Sequence, residues 1–214
     1  MKNLGGILLL AALLSACSLF AEHSVTMFVA LTGKPTEAEI VRKLDNLQNA
    51  GVDSFLFYPT AGMRLEYLGE EFWHVAEIFA REAERRGMKM WLYDEYNWPS
   101  GSCRGRVPAE DERFRLTEFT LTRDATGAFV WGKAYGPRGW VNLLEPQAVQ
   151  RFIELTHLEY ERRLKRWIQN GTIVGIFTDE PGHPTEVKLP AGVIAHARRY
   201  EGLEEDYAAA TGRD

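Results

Sequence analysis

A chain of 214 residues, 45% hydrophobic and 26% charged, can bury the core of one globular domain, which excludes a disordered or low-complexity protein. The net charge is −5, and basic runs such as Arg81 to Arg86 and Arg162 to Arg166 are interleaved with acids, so they read as solvated helix faces and give no case for nucleic-acid binding. Two cysteines exclude a disulfide framework.

Met1 and Lys2 form a basic start, and Ile7 to Leu14 an apolar stretch too short to span a membrane as a mature helix. The stretch ends Leu14-Ser15-Ala16-Cys17, which resembles a bacterial lipobox and implies lipidation of Cys17. An ordinary signal peptide cut near Ala16 or Ala21 is the alternative. The expected division is a signal peptide over 1–16, a linker over 17–24 and one folded domain over 25–214. The expected location is an exported lipoprotein held to the membrane by its lipid alone, with Ser18 favouring the outer membrane in a Gram-negative host. Cys103 would then be unpaired, an inert loop thiol rather than a nucleophile, since no histidine is near it in sequence.

The domain opens with an almost continuously apolar run, Val25 to Leu31, as buried parallel strands do. Thr36 with Glu39 forms a capping box for a helix that Gly51 ends. A second strand is expected over Val52 to Tyr58, a second helix over Glu70 to Arg86, and a third strand over Met88 to Tyr93. His74 on that second helix reads as surface or packing, since a metal needs several convergent ligands. This β-α-β-α-β order with short turns predicts a parallel sheet with right-handed crossovers. Phe114 to Thr122 and Ala128 to Tyr135 flank a turn at 123–127 and predict a β-hairpin inserted after the third strand. A long helix starts at Glu145-Pro146 and ends at Asn170-Gly171. The fourth strand is Thr172 to Thr178, Gly182 to Pro190 is a loop, and Ala191 to Ala210 reads as a helix interrupted by Gly202.

Two of these strands end alike. Met90 to Tyr93 runs into Asp94-Glu95-Tyr96-Asn97-Trp98-Pro99-Ser100-Gly101, and Ile173 to Thr178 runs into Asp179-Glu180-Pro181-Gly182. Side chains at the carboxyl ends of parallel strands face the active-site crevice. Carboxylates there serve glycosidic acid–base chemistry, and flat rings stack on sugar faces. Read as structure alone, Asp94 and Glu95 are loop acids and Trp98 a core ring. No G-x-G-x-x-G or P-loop opens a helix, so no nucleotide cofactor is expected. Asp179, Glu180 and His183 are close enough in sequence for a metal reading, but no His-x-His or Cys cluster supports one.

The stretches WLYDEYNWPSG and TDEP, joined by the Pro-led helix of NLLEPQAVQRFIELTHLEYERRL, resemble the N-terminal barrel portion of the α-L-rhamnosidase-like glycoside hydrolases, family 106 type. The resemblance covers roughly Val25 to Asp206 and implies an α/β fold, part of a TIM-type (β/α) barrel, with a carbohydrate substrate. The sequence departs from that family after Ser100-Gly101, where Ser102-Cys103-Arg104 stands in place of Ala-Gly-Gly. Family members are also longer, and four strands are half of the eight in a complete barrel. A missing C-terminal barrel half is therefore an expected partner, and the first and fourth strands are expected edges that invite association.

By analogy with other (β/α) glycosidases, Glu180 at the fourth strand end is the expected general acid/base and Glu95 its partner carboxylate. Asp94 and Asp179 are expected to hold hydroxyls or orient loops, Trp98 and Tyr96 to stack on sugar, and Tyr58 to line the same rim or pack as a core ring. The rival from another class is a non-catalytic carbohydrate-binding lipoprotein or an inactive remnant.

Overall fold

The computed structural model describes residues 25–136, 139–181, 189–200 and 202–213. The signal peptide, Cys17, the linker, His183 and most of the loop over 182–190 lie outside the described residues.

Strand β1 (Thr26–Gly33) leads to helix α1 (Glu37–Asn49). The Thr36 hydroxyl accepts the Glu39 N–H at 3.3 Å and the Glu39 carboxylate accepts the Thr36 N–H at 2.8 Å, a complete capping box. Gly51 follows the helix at φ 79, and Gly87 closes α2 (Glu70–Arg86) at φ 69, the left-handed positions that glycine occupies without strain. Between them runs β2 (Ser54–Met63), longer than expected because its pairing with β1 continues through Pro59 to Met63. Strand β3 (Lys89–Tyr93) completes the first half.

After β3 come the short α3 (Val107–Glu110), a 3₁₀ turn over 112–114, and the antiparallel pair β4 (Thr117–Arg123) and β5 (Phe129–Tyr135). The expected single long helix is two, α4 (Pro146–Leu155) and α5 (His157–Gln169). They meet at Thr156, at φ −116 and ψ −72, where the buried hydroxyl donates to the Phe152 carbonyl at 2.6 Å. Such back-bonding competes with the helix ladder. Strand β6 (Ile173–Phe177) follows.

The helix expected over Ala191 to Ala210 is corrected. Its first half is β7 (Ala195–Arg198), paired antiparallel with β4, and only Leu203–Thr211 (α6) is helical. Gly202 at φ 94 separates the two. The open edge of β4 decides the outcome. Glu118 reaches His196 across the pair, and the Arg199 guanidinium lies 3.8 Å from the centroid of Phe119. Neither attraction is available to an isolated helix.

The fold is thus mixed α/β: a four-stranded parallel sheet ordered β1-β2-β3-β6 and a separate three-stranded antiparallel sheet ordered β5-β4-β7. The parallel order never reverses, so each right-handed crossover sets its helices on the same face. On that face Val29, Phe55, Phe57, Met90 and Leu92 pack against Leu44, Phe72, Phe79 and Tyr160. The opposite face carries a second set of apolar side chains. Phe28, Leu56, Trp91 and Gly175 are register neighbours, and a Cβ on Gly175 would lie 2.4 Å from the Trp91 ring. One register step on, Tyr93 and Phe177 stack, and Tyr58 lies tilted against Tyr93. The sheet curls enough that Phe28 of β1 meets Phe177 of β6, ring centroids 5.6 Å apart.

Among the described residues β1 and β6 have no outer neighbour, and Phe28 is 56% and Val174 45% exposed on these edges. A groove of about 560 Å³ runs between the carboxyl end of β1 and α1. Unpaired apolar edges recruit further strands. The chain is expected to self-associate in a concentration-dependent way, and Phe28→Lys with Val174→Lys to shift it towards monomer. Sedimentation velocity over a dilution series checks this; wild-type protein that is monomeric throughout would remove the expectation. No described helix is long and apolar enough to cross a membrane.

Candidate functional site at the strand ends

Strands β3 and β6 are parallel neighbours, so the residues following them emerge at one rim. Asp94 is fully buried there. One carboxylate oxygen accepts the Ser100 hydroxyl, and the other accepts the Thr178 hydroxyl at 2.7 Å with His157 Nε2 at 3.5 Å. Ser100 also accepts the Asp179 N–H at 2.9 Å, and its own N–H donates to the Asp179 carbonyl at 3.0 Å. Asp94 and Ser100 therefore clamp the β3 loop to the end of β6. Gly101 completes the turn at φ 126, where a Cβ would sit 2.8 Å from Val141.

Glu95 is 1% exposed and faces inward. Its oxygens accept backbone N–H groups from Tyr96 (2.8 Å), Ser102 (2.8 Å), Cys103 (2.7 Å) and Arg104 (2.6 Å). Three successive N–H groups, with Cys103 at φ 50 and Arg104 at φ 56, form a concave anion cradle closed around this carboxyl group. Burial pushes the carboxyl up to about 7, and the four N–H bonds pull the other way. In this geometry Glu95 organises the loop and offers no oxygen to a ligand. The Cys103 thiol is buried beside it and pushed up to about 12, first by burial and then by Glu95, which makes it a poor nucleophile.

The second Asp-Glu pair is less enclosed. Asp179 is half-buried and accepts the Tyr93 hydroxyl at 2.8 Å. Burial, and then the bond to Asp179, hold the Tyr93 phenol well above its ordinary range, so it stays a donor. Glu180 is exposed at φ 40, and its Oε2 accepts the Trp98 indole N–H at 3.0 Å. Trp98 is 41% exposed and meets Trp140 edge to face, with centroids 5.7 Å apart. Beside them lies a cavity of about 250 Å³ lined by Trp98, Ser102, Arg104, Gly139 and Trp140 among others. Tyr96 is covered by the Arg104 guanidinium, 4.5 Å from its centroid, and its hydroxyl donates to the Ala61 carbonyl at 3.3 Å. Tyr58 lies in the aromatic row of the open sheet face, 4.4 Å from Tyr93.

The structure therefore brings Asp94, Asp179, Glu180 and Trp98 together at one rim, with Glu95 beneath it. Trp140 was not singled out in the sequence; its one signal is an aromatic beside Gly139 after the hairpin. Among the described residues no three His, Cys, Asp or Glu side chains converge as metal ligands do. No protein-family model, curated protein or solved structure matches the chain.

Proposed function

We propose that the chain is a glycoside hydrolase-type protein, similar to the α-L-rhamnosidases, acting on a rhamnose-containing polysaccharide. The observation that carries this is Glu180: an exposed carboxylate held by the indole N–H of an exposed tryptophan, at the carboxyl end of a parallel sheet. A glycosidase needs a positioned carboxylate beside a surface that takes a sugar ring. Glu180 is the acid–base candidate, Trp98 and Trp140 are the ring surfaces, and Asp179 is the second carboxylate. In the same reading the parallel sheet and its helices are half of a (β/α) barrel, and the open aromatic face supports it as the side turned to a barrel interior.

The rival reading, a carbohydrate-binding protein without turnover, is favoured by one observation. Asp94 and Glu95 spend their oxygens on protein donors, which leaves Glu180 and Asp179 to do all the chemistry at the surface. The test is to incubate purified residues 18–214 with aryl rhamnosides and rhamnose-rich polysaccharides, measuring both sugar release and binding. Release supports the hydrolase, binding without release supports the rival, and neither result ends both. We also propose export and anchoring through a lipidated Cys17; Cys17→Ser is expected to leave unprocessed precursor that fails to partition into detergent.

A further inference from the structure

Strand β5 is an open edge of the antiparallel sheet. It has no outer neighbour among the described residues, and its pairing with β4 runs unbroken from Phe129 to Tyr135, with no proline and no bulge. A flat open edge recruits another strand. The ladder shows which backbone groups are free. The Asp124 N–H donates to the Ala128 carbonyl at 3.0 Å, and the Gly136 N–H to the Leu116 carbonyl at 2.9 Å. Bonded and non-bonded pairs alternate in an antiparallel ladder, so Val130, Gly132 and Ala134 turn their N–H and C=O groups to β4. Those of Phe129, Trp131, Lys133 and Tyr135 face outward. Leu121, opposite Trp131, agrees: its carbonyl accepts the Ile194 N–H at 2.9 Å, on the β7 side. The side chains of the same four β5 residues share one face of the sheet. Trp131 is 68% and Phe129 57% exposed there. The rings are nevertheless held in place. The Arg123 guanidinium lies 4.1 Å from the Phe129 centroid, Arg115 lies 4.7 Å from that of Tyr135, and Phe119 meets Trp131 edge to face at 5.9 Å.

The order of residues in β5 fits itself. Two antiparallel copies about a two-fold axis at Gly132 set Trp131 opposite the partner's Lys133 and Phe129 opposite the partner's Tyr135, twice each. The first is a cation–π pair and the second an aromatic pair. Every outward N–H and C=O meets a partner, and glycine brings no side chain to the axis. A lysine on an edge ordinarily keeps strands apart, but in this register it meets a ring and not its own counterpart. Each end of the seam brings Arg123 towards the partner's Arg115. Glu112, which accepts the Tyr135 hydroxyl at 2.7 Å, supplies a carboxylate at the same end. We propose that β5 is a dimer interface, through which two copies of the chain join their antiparallel sheets into one of six strands. A strand of unrelated sequence would use the backbone groups without this side-chain match.

The experiment is sedimentation velocity over a dilution series on purified residues 18–214 carrying Phe28→Lys and Val174→Lys, which charge the parallel edges and leave β5 unchanged. This parent is expected to be a dimer that dissociates on dilution. Trp131→Lys sets lysine opposite lysine at two pairs and should weaken the dimer about tenfold or more. Adding Lys133→Glu turns both pairs into ion pairs and should restore it. Lys133→Pro, made alone in the parent, removes an outward N–H without touching the β4 ladder and should also give monomer. Trp131 and Lys133 are exposed, so the urea midpoint of each monomeric variant should stay near the parent's. A parent that is monomeric throughout, or a dimer unmoved by Trp131→Lys and by Lys133→Pro, overturns the interface. A folded Trp131→Lys/Lys133→Glu chain that stays monomeric overturns the register about Gly132.

Discussion

Glu95→Ala is expected to lower stability by more than about 4 kcal/mol, because it strips the acceptor from four backbone N–H groups and each buried unsatisfied donor costs about 1–3 kcal/mol. Water entering the space recovers part of that sum. Glu95→Gln is the sharper variant. Its amide keeps one acceptor oxygen and turns an NH₂ group towards donors, so about 2–3 kcal/mol should be lost with almost no change of volume. Urea denaturation measures both. The damage should also be local before it is global: Trp98 lies between Glu95 and the cradle residues in sequence, so its fluorescence should change at urea concentrations where far-UV circular dichroism is still native. A loss below about 1 kcal/mol in Glu95→Ala would mean that the loop holds itself together, and that the carboxyl group had been kept for some other task.

The parallel part of this fold was legible because its strands are apolar at successive positions: Val25 to Leu31, Met90 to Tyr93 and Ile173 to Phe177 could be read directly. The same pattern suggests cover on both faces, whereas β1 and β6 leave Phe28, Val174 and Phe177 exposed. The Thr36–Glu39 cap and the glycine stops were legible because their chemistry is local. Strand β7 was not. Ala195-His196-Ala197-Arg198 has no strand character of its own, and its partner β4 lies far back in the chain. Thr156 hid the break between α4 and α5 because one hydroxyl bond to Phe152 leaves the apolar periodicity intact.

At the rim, the sequence shows two Asp-Glu pairs at two strand ends but not which acid faces solvent. That choice is made by donors several residues away. The N–H groups of Ser102, Cys103 and Arg104 converge on Glu95, and the hydroxyls of Ser100 and Thr178 converge on Asp94. Cys103 and Arg104 occupy the two left-handed positions, where glycine would sit without strain. Trp140 escaped notice because its partner Trp98 lies across the inserted hairpin, beyond the reach of spacing arguments.

The largest kinetic effect is expected at Glu180. If the rim hydrolyses a glycosidic bond, Glu180→Gln should lower turnover by about 10²–10⁴-fold, the contribution of a positioned acid–base group. Glutamine preserves the shape of the side chain and an oxygen able to accept the Trp98 indole N–H, so substrate affinity should change little. Glu180 is exposed and its partner Trp98 is 41% exposed, so the urea midpoint should stay at the wild-type value. Trp98→Phe separates orientation from chemistry. It keeps an aromatic ring but removes the donor that steadies the carboxylate, so its kcat should fall by less than that of Glu180→Gln. Measuring kcat and KM for both variants on the substrate that wild type cleaves fixes the role. Turnover unchanged in Glu180→Gln would move the chemistry to Asp179, whose carboxylate is held by the Tyr93 hydroxyl rather than by Trp98. Undiminished oligosaccharide binding in a wild-type chain that releases no sugar would instead make Glu180 and Trp98 two walls of a binding site.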